Sequence, residues 1–274
     1  MAADETRHGR GSRDRVRVGV GVMARAPSSG GKTRLAPHLS ADRLLALRRA
    51  LLSDTLRTLT SVSAGDLPPS LASNGGELPP SRFRATAGQV GAASLPAGRD
   101  GGEVIVFVEP GDASGEVEAL SAGPVVCVPQ VDGDLGRRMC AAFKHLLQTL
   151  DYDAAILVGS DIPLLTADHL DEARDALTTT RGVVLGPADD GGYYLVGMRS
   201  VHAELFEGVE WGTAGVLTDT LRIAGRAGIE ARLTRAAYDV DTIEDLHRLE
   251  GDLRAASADV APHVRAWFSD SAST

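Results

Sequence analysis

Short apolar runs that alternate with helical patterns constrain the fold of this chain more than any other feature. Residues 103–108 read EVIVFV, residues 124–128 read PVVCV and residues 154–159 read AAILVG. Continuous apolar runs of this length are typical of parallel strands that are covered on both faces. Because such strands alternate with helices, the sequence predicts an α/β fold with a mainly parallel, doubly wound sheet.

The first predicted strand leads into a loop that is suited to bind an anion. Val alternates with other residues over 16–22, and Lys32 and Arg34 come directly after Gly30 and Gly31. A glycine-rich turn after a first strand exposes backbone N–H groups, and neighbouring cations add positive charge. A phosphate group is therefore the expected ligand of this loop.

The same loop is close to a P-loop, the phosphate-binding motif G-x-x-x-x-G-K-[ST]. Residues 26–33 fit the motif except that Ala26 replaces its first Gly. A P-loop continues straight into a helix, whereas here Pro37 follows Thr33 closely and would remove a helical hydrogen bond. A P-loop ATPase is therefore a disfavoured alternative.

The charge of the whole chain limits the class of ligand. The 274 residues carry a formal net charge of -9, which argues against a nucleic-acid partner. A small phosphorylated ligand, with a metal held by acidic residues, is favoured instead. The chain shows no signal-peptide pattern and no apolar run of membrane-spanning length, and its cysteines, Cys127 and Cys140, suit a reducing compartment. We therefore expect a cytoplasmic protein without a membrane partner; a homodimer is compatible with the sequence.

The chain is predicted as one domain with extensions. Residues 1–14 form a disordered leader, residues 15–255 form the domain, and residues 256–274 form a C-terminal tail. A Pro/Gly-rich, flexible insertion without chemistry is expected at residues 63–102. Helix starts are predicted at residues that can cap the helix that follows, namely Ser40, Thr166, Thr213 and Thr242.

Acidic residues follow two of the predicted strands. Asp161 ends the strand at 154–159, and Asp239 and Asp241 alternate around Val240, so that in extended chain both carboxylates point to one side. Ligands of doubly wound sheets bind beyond the carboxyl ends of the strands, so these residues should meet the basic loop in one cleft. Carboxylates from separate segments suit Mg²⁺ (or Mn²⁺). A turn at Asp161 and a helix cap at Asp239 or Asp241 are the structural alternatives.

Two further segments are candidates for contact with substrate. Asp190, Gly191 and Gly192 offer backbone that a ligand could approach closely, although a hairpin turn explains the same residues. Trp211 and Thr213 could contact a substrate, or could be a core Trp that precedes a helix cap.

Six ordered segments carry a resemblance to a known family: KTRLAP, GDLGRRM, GSDIPLLT, GPADDGGYYLVGM, WGTAGVLTDT and DVDTIEDL. Together they resemble the radical-SAM/selenodomain-associated transferase family, whose members have a glycosyltransferase-A fold and are related to the MobA and 2-phospholactate guanylyltransferase (CofC) groups. The resemblance covers about residues 16–250 apart from the insertion. It implies a nucleotide-diphospho-sugar transferase (GT-A, Rossmann-like) fold.

The resemblance also implies roles for individual residues. Lys32, Asp161 and Asp241 would be catalytic, with Lys32 on phosphate and with Asp161, Asp241 and Asp239 on the metal. It also implies Arg34 beside Lys32 on phosphate, and Gly191 and Gly192 on the acceptor or sugar side. The residues themselves, apart from the resemblance, add further candidates for binding the nucleotide or substrate: Arg25, Gly30, Gly31, Asp190, Trp211 and Thr213.

The function that follows is metal-dependent glycosyl transfer from a nucleoside diphosphate sugar to a small-molecule acceptor. A nucleotidyltransferase that acts on a small phosphorylated acceptor and releases pyrophosphate is the main alternative. A P-loop NTPase and a non-catalytic nucleotide-binding protein are the others. In the enzymatic readings, the metal and Lys32 would stabilise the charge that develops on a leaving phosphate.

Overall fold

The centre of the fold is a mixed sheet, seen in a computed structural model that describes residues 16–65 and 103–271. Within these residues seven strands pair in the order β3-β2-β1-β4-β6-β5-β7. They are β1 (Val18–Arg25), β2 (Val104–Glu109), β3 (Val125–Pro129), β4 (Ala154–Gly159), β5 (Val183–Pro187), β6 (Tyr193–Met198) and β7 (Ala231–Leu233). β6 runs antiparallel to its neighbours β4 and β5, and the other pairs are parallel. The predicted α/β, mainly parallel sheet is confirmed.

Helices connect the strands and cover the two faces of the sheet. They are α1 (Ala41–Gly65), α2 (Ser114–Leu120), α3 (Leu135–Lys144), α4 (Ala167–Thr179), α5 (Val216–Ala227), α6 (Ile243–Ala255) and α7 (Pro262–Ser271). A single turn of π-helix, His145–Thr149, continues α3. In the described part of the chain no helix is both long and apolar enough to cross a membrane.

Three buried clusters hold these layers together. One face of the sheet packs Val22 and Ile156 against Leu56 of α1, and the other packs Leu157 against Phe143 of α3. In the third cluster, side chains of the loop after β1 and of α1, α6 and α7 meet at Leu35, Leu47, Val240, Leu249 and Trp267. Each fully buried side chain of this size contributes roughly 1.5–3 kcal/mol. The third cluster ties the basic loop and the segment before α6 to the same rigid body.

The helix starts test the predicted caps. Arg43 N donates to Ser40 Oγ at 3.3 Å, and reciprocal caps join Thr166 to His169 and Thr242 to Asp245, as predicted. The prediction for Thr213 is wrong, because α5 begins at Val216 with Gly215 as its N-cap. Thr213 Oγ1 instead donates to Glu210 O at 2.9 Å, within the preceding turn.

The C-terminal segment differs from the predicted tail. Its residues 262–271 form α7, which packs on α1. The Asp54 carboxylate accepts hydrogen bonds from His263 N and Val264 N at 3.1 and 2.9 Å, and the Arg43 guanidinium lies 4.1 Å from the centre of the Trp267 ring. The helix was missed because it is short and most of its stability comes from this packing.

The predicted leader and insertion fall mainly outside the described residues. Residues 1–14 lie outside them, as do residues 66–102 of the insertion predicted at 63–102. The first three residues of that insertion, 63–65, belong to the end of α1.

Candidate active site

The loop after β1 directs the side chain of Lys32 towards the protein interior. Gly30, Gly31 and Lys32 have φ values of 109°, 105° and 51°. Glycine adopts such angles readily, whereas a residue with a side chain does so at a cost of about 1–2 kcal/mol. The turn is held by Leu35 N, which donates to Lys32 O at 3.0 Å, and by Leu35 itself, which is fully buried. As a result the Lys32 side chain is only 8% exposed.

Lys32 connects two acidic segments. Its Nζ donates to Asp161 Oδ2 at 2.8 Å and to Asp241 Oδ1 at 3.1 Å. Burial by itself lowers the pKa of Lys32, but the charges and hydrogen bonds of the two carboxylates outweigh burial and raise that pKa. Lys32 is therefore a fully charged ammonium group held between two carboxylates.

A third carboxylate completes the acidic cluster. Oxygen atoms of Asp161, Asp239 and Asp241 lie within 4.8 Å of one another, and within the described residues these are the side chains placed closely enough to hold a metal ion. Val240 is fully buried, so Asp239 and Asp241 share the opposite side, as the alternation predicted. Burial, followed by the charges of Asp161, Asp241 and Asp190, raises the pKa of Asp239 to about 6.

The capping alternatives for the acidic pair are wrong. Thr242 is the N-cap of α6, and Asp245 Oδ2 accepts hydrogen bonds from Thr242 N at 2.7 Å and from Asp241 N at 3.0 Å. The cap thus uses Asp245, whereas the carboxylates of Asp239 and Asp241 face the cluster. A short stretch of parallel pairing between Ala188 and Ala237 holds the chain that leads to Asp239.

The cluster opens into a cleft of about 230 Å³ at the carboxyl ends of β1 and β4. Of the predicted residues, those that line it are Arg25, Gly30, Gly31, Lys32, Asp161 and Asp241. Arg34 is exposed and does not line it.

Arg48 of α1 also lines the cleft and was missed by the sequence analysis. It donates from Nη1 to Pro27 O at 3.0 Å, and its buried Nε has no hydrogen-bond partner in the structure as described. The helical pattern of α1 gave no signal for it, because an Arg on a largely apolar helix reads as a solvated residue.

Arg25, at the end of β1, is already paired with a carboxylate. Its guanidinium donates to Glu109 Oε2 at 3.1 Å, and Arg138 of α3 donates to the same oxygen at 2.5 Å. The hydrogen bond from Arg138, more than the charge of Arg25, lowers the pKa of Glu109. Arg25 therefore lies at the edge of the cleft with half of its side chain exposed.

The Asp190–Gly192 segment is the turn of the β5–β6 hairpin, which was the structural alternative. Gly192 N donates to Asp190 Oδ1 at 2.9 Å. Gly191 has φ 90°, and a Cβ there would lie 2.2 Å from Ala214 O. The close approach that requires Gly191 is therefore made by the protein's own backbone. Asp190 acts on the cluster through its charge, which contributes to the raised pKa of Asp239.

Trp211 and Thr213 do not line the cleft. The Trp211 ring stands edge-on to Tyr193 with centroids 6.4 Å apart, and its indole covers Gly136, where a Cβ would come within 2.7 Å of it. Trp211 is thus packed into the face of the sheet covered by α3, which favours the core interpretation.

The P-loop interpretation is wrong. Thr33 is followed by turns, and α1 begins only at Ala41. Lys32 Nζ donates to the carboxylates of Asp161 and Asp241, and among the described residues no helix begins next to it.

Comparisons with known proteins agree with this fold. Residues 94–213 match a family described as an uncharacterized protein conserved in bacteria (DUF2064). A solved structure described as a "putative nucleotide-diphospho-sugar transferase", from Desulfovibrio desulfuricans G20, is 26% identical, covers 91% of this chain and 94% of its own, and superposes with a TM-score of 0.69. No curated protein matches the chain.

A more distant structure shares the fold alone. The 4-diphosphocytidyl-2C-methyl-D-erythritol synthase of Anaerococcus prevotii DSM 20548 is 11% identical, over 86% of this chain and 99% of its own, with a TM-score of 0.50. The chain thus has the fold of the nucleotide-diphospho-sugar transferases, and over nearly its whole length it is similar to a protein described as one.

Proposed function

We propose that this chain is a metal-dependent transferase that takes a sugar from a nucleoside diphosphate sugar and passes it to a small-molecule acceptor. The observation that carries the proposal is the meeting of Lys32, Asp161 and Asp241 in one cleft with the turn at Gly30 and Gly31. Similarity to the Desulfovibrio desulfuricans protein supports a nucleotide sugar as donor.

The acidic cluster is the reason to include a metal. Its carboxylates, whose oxygens lie within 4.8 Å of one another, repel a diphosphate. Two like charges about 4 Å apart repel by about 4 kcal/mol at an effective dielectric constant of about 20. A cation between the carboxylates and the diphosphate removes this repulsion. The carboxylates of Asp161 and Asp241 already accommodate a cation, the Lys32 ammonium group. Mg²⁺ or Mn²⁺ would be held by Asp161, Asp241 and Asp239, and when bound it supplies neutralisation of the phosphate oxygens.

The chain's own groups would bind and orient the donor. The backbone around Gly30 and Gly31 and the side chains of Lys32 and Arg48 border the cleft and would take the diphosphate. As the bond between sugar and phosphate breaks, negative charge develops on the leaving diphosphate, and these donors stabilise it. Loss of one such donor typically costs about 3 kcal/mol, or roughly a hundredfold in rate.

Nucleotidyl transfer is the second candidate. It is favoured by the six sequence segments that resemble a family related to guanylyltransferases. The same cations and carboxylates can serve attack on the α-phosphorus with release of pyrophosphate. In either case we expect a cytoplasmic enzyme without a nucleic-acid partner, as the charge and cysteine content indicate.

Product analysis tests the proposal. The protein is incubated with Mg²⁺ and a panel of nucleoside diphosphate sugars, and separately with nucleoside triphosphates and a phosphorylated acid. We expect nucleoside diphosphate from a nucleotide sugar, lost in Asp161→Asn and Asp241→Asn. Asp151→Asn is the matched control, because its carboxylate is 96% exposed and lies before β4, away from the cleft.

Two results would count against the first choice. Pyrophosphate from a triphosphate, dependent on the phosphorylated acid and on Asp161, would replace glycosyl transfer with nucleotidyl transfer. Metal-dependent nucleotide binding without any product in either assay would leave the non-catalytic binding protein.

A further inference from the structure

Lys32 occupies the place where the proposed metal would bind. Its Nζ lies 2.8 Å from Asp161 Oδ2 and 3.1 Å from Asp241 Oδ1, the carboxylates that would be metal ligands. The side chain is 8% exposed, so the ammonium group has exchanged most of its water for these oxygens. In the ligand-free protein, Lys32 therefore supplies the positive charge that the acidic cluster needs.

The ammonium group and a divalent cation exclude each other from this position. Mg²⁺ binds carboxylate oxygens at about 2.1 Å. A Mg²⁺ ion on the oxygens that Lys32 now contacts would come within a few ångströms of Nζ, where the two positive charges repel strongly. Lys32 must leave before the metal can bind. A buried ammonium that loses its carboxylates needs another anion, because an unpaired charge in such a place is costly.

The loop that carries Lys32 limits how this residue can move. Two glycines with positive φ precede it, and a side chain at Gly30 would meet open space. Both ends of the loop are fixed, upstream by Ser28, whose N–H donates to Glu116 Oε2 at 3.2 Å, and downstream by the buried Leu35. Because Leu35 N also donates to Lys32 O at 3.0 Å, the movement of the Lys32 ammonium is made by rotation of its long side chain.

We propose that Lys32 is an exchangeable counter-ion that makes divalent-cation binding depend on the donor's phosphates. Free metal binds weakly because it has to expel Lys32. The diphosphate of the donor receives the expelled ammonium, so metal and donor strengthen each other's binding by the same factor. This inference rests on the proposed function, and it makes Lys32 the residue that selects a metal–nucleotide complex over either component alone.

Mn²⁺ binding in the absence of any phosphate is the first test. Electron paramagnetic resonance measures the free Mn²⁺ over a titration of the full chain. Lys32→Gln should bind Mn²⁺ about tenfold more tightly than the wild type or better, because the competing charge is gone. Lys32→Arg, which keeps the charge, should stay weak. Lys144→Gln is the matched control, since Lys144 is the other lysine of the chain and is exposed at the far end of α3.

The two possible failures can be told apart. If Lys32→Gln binds Mn²⁺ no more tightly than the wild type, while the wild type shows donor-dependent Mn²⁺ binding, the inference is wrong and the proposed function stands. If neither protein binds Mn²⁺ with or without nucleotide sugars, the metal site itself is wrong.

A second measurement uses the unmodified protein and so does not depend on how the variants fold. The chain contains two lysines, so ¹⁵N-lysine labelling gives two side-chain Nζ signals in an NMR spectrum. The protons of a buried, paired ammonium exchange slowly, which makes the Lys32 signal visible. It should be unmoved by millimolar Mg²⁺ or by inorganic pyrophosphate separately, and should shift when both are present. A Lys32 signal that shifts fully with Mg²⁺ alone would overturn the inference.

Discussion

The carboxylate of Asp245 accepts a hydrogen bond from the backbone N–H of Asp241 at 3.0 Å. The same oxygen accepts from Thr242 N and Thr242 Oγ1, so the cap of α6 also fixes the backbone that carries a proposed metal ligand. A helix cap and the candidate active site thus share one residue. We therefore predict that Asp245 is a positioning residue, which acts on the proposed metal site through Asp241.

Asp245→Ala should therefore have two effects. Loss of the cap should lower the free energy of unfolding by about 1–2 kcal/mol, measured by urea denaturation. Mn²⁺ affinity, measured on the folded protein with donor present, should fall as well, because Asp241 is no longer held. Thr166→Ala is the control: it removes the corresponding cap of α4, and it should lower stability without changing Mn²⁺ affinity. If the two variants had equal Mn²⁺ affinities, the role of Asp245 would be limited to capping α6.

The C-terminal helix should be required for stability. Trp267 is buried against α1, where its Nε1 donates to Arg43 O at 3.0 Å. Trp267→Ala should cost about 3–5 kcal/mol in urea denaturation. Ser269→Ala, an exposed position on the same helix, should change stability little. A near-wild-type midpoint for Trp267→Ala would show that the packing of this helix contributes little to stability.

The folding stability of the ligand-free protein should depend on pH through the acidic cluster. The folded-state pKa of Asp239 is about 6, above the value of about 3.9 in the unfolded chain. Between these values the folded state binds more protons, so this group makes stability rise as pH falls from 7 to 5.

The comparison of wild type with Asp239→Asn isolates this contribution. The wild type should gain on the order of 1–2 kcal/mol relative to the variant over this range, after allowance for solvent screening. Thermal unfolding across pH measures the difference, with Asp151→Asn as the exposed control. Mg²⁺ added together with the donor should reverse the trend, since metal binding needs the ionised carboxylate. Identical pH profiles for wild type and Asp239→Asn would contradict the raised pKa.

The sequence predicted those parts of the fold that depend on local pattern. The buried strands, the sheet class and the caps at Thr166 and Thr242 follow from short-range rules that the packed protein obeys. The α7 helix was not predicted, because its burial depends on Asp54 and Arg43, more than two hundred residues earlier in the chain.

The site shows the same division between local and long-range information. Convergence of Lys32, Asp161 and Asp241 could be predicted because parallel strands bring their carboxyl ends to one edge. The direct contact of Lys32 with both carboxylates could not, since it depends on the positive φ of Lys32. Arg48 could not be predicted for another reason. The apolar pattern of a helix indicates which face is buried, but it does not indicate which cleft the edge of the helix borders.

Substitution of the two hairpin glycines, Gly191 and Gly192, should distinguish a structural role of this turn from a role in ligand binding. Gly191→Ala places a Cβ 2.2 Å from Ala214 O at a φ of 90°, whereas the atom nearest to a Cβ at Gly192 is Asp190 Oδ1 at 3.2 Å. Backbone strain of this kind costs about 1–3 kcal/mol, and the clash with Ala214 adds to it. Gly191→Ala should therefore lower the unfolding midpoint clearly, and Gly192→Ala should lower it little.

If Gly192 borders the sugar or acceptor, as the family resemblance implies, Gly192→Ala should raise the KM for donor or acceptor at unchanged stability. Unchanged kinetics in a stable Gly192→Ala protein would confine the hairpin to shaping the backbone beside Asp190.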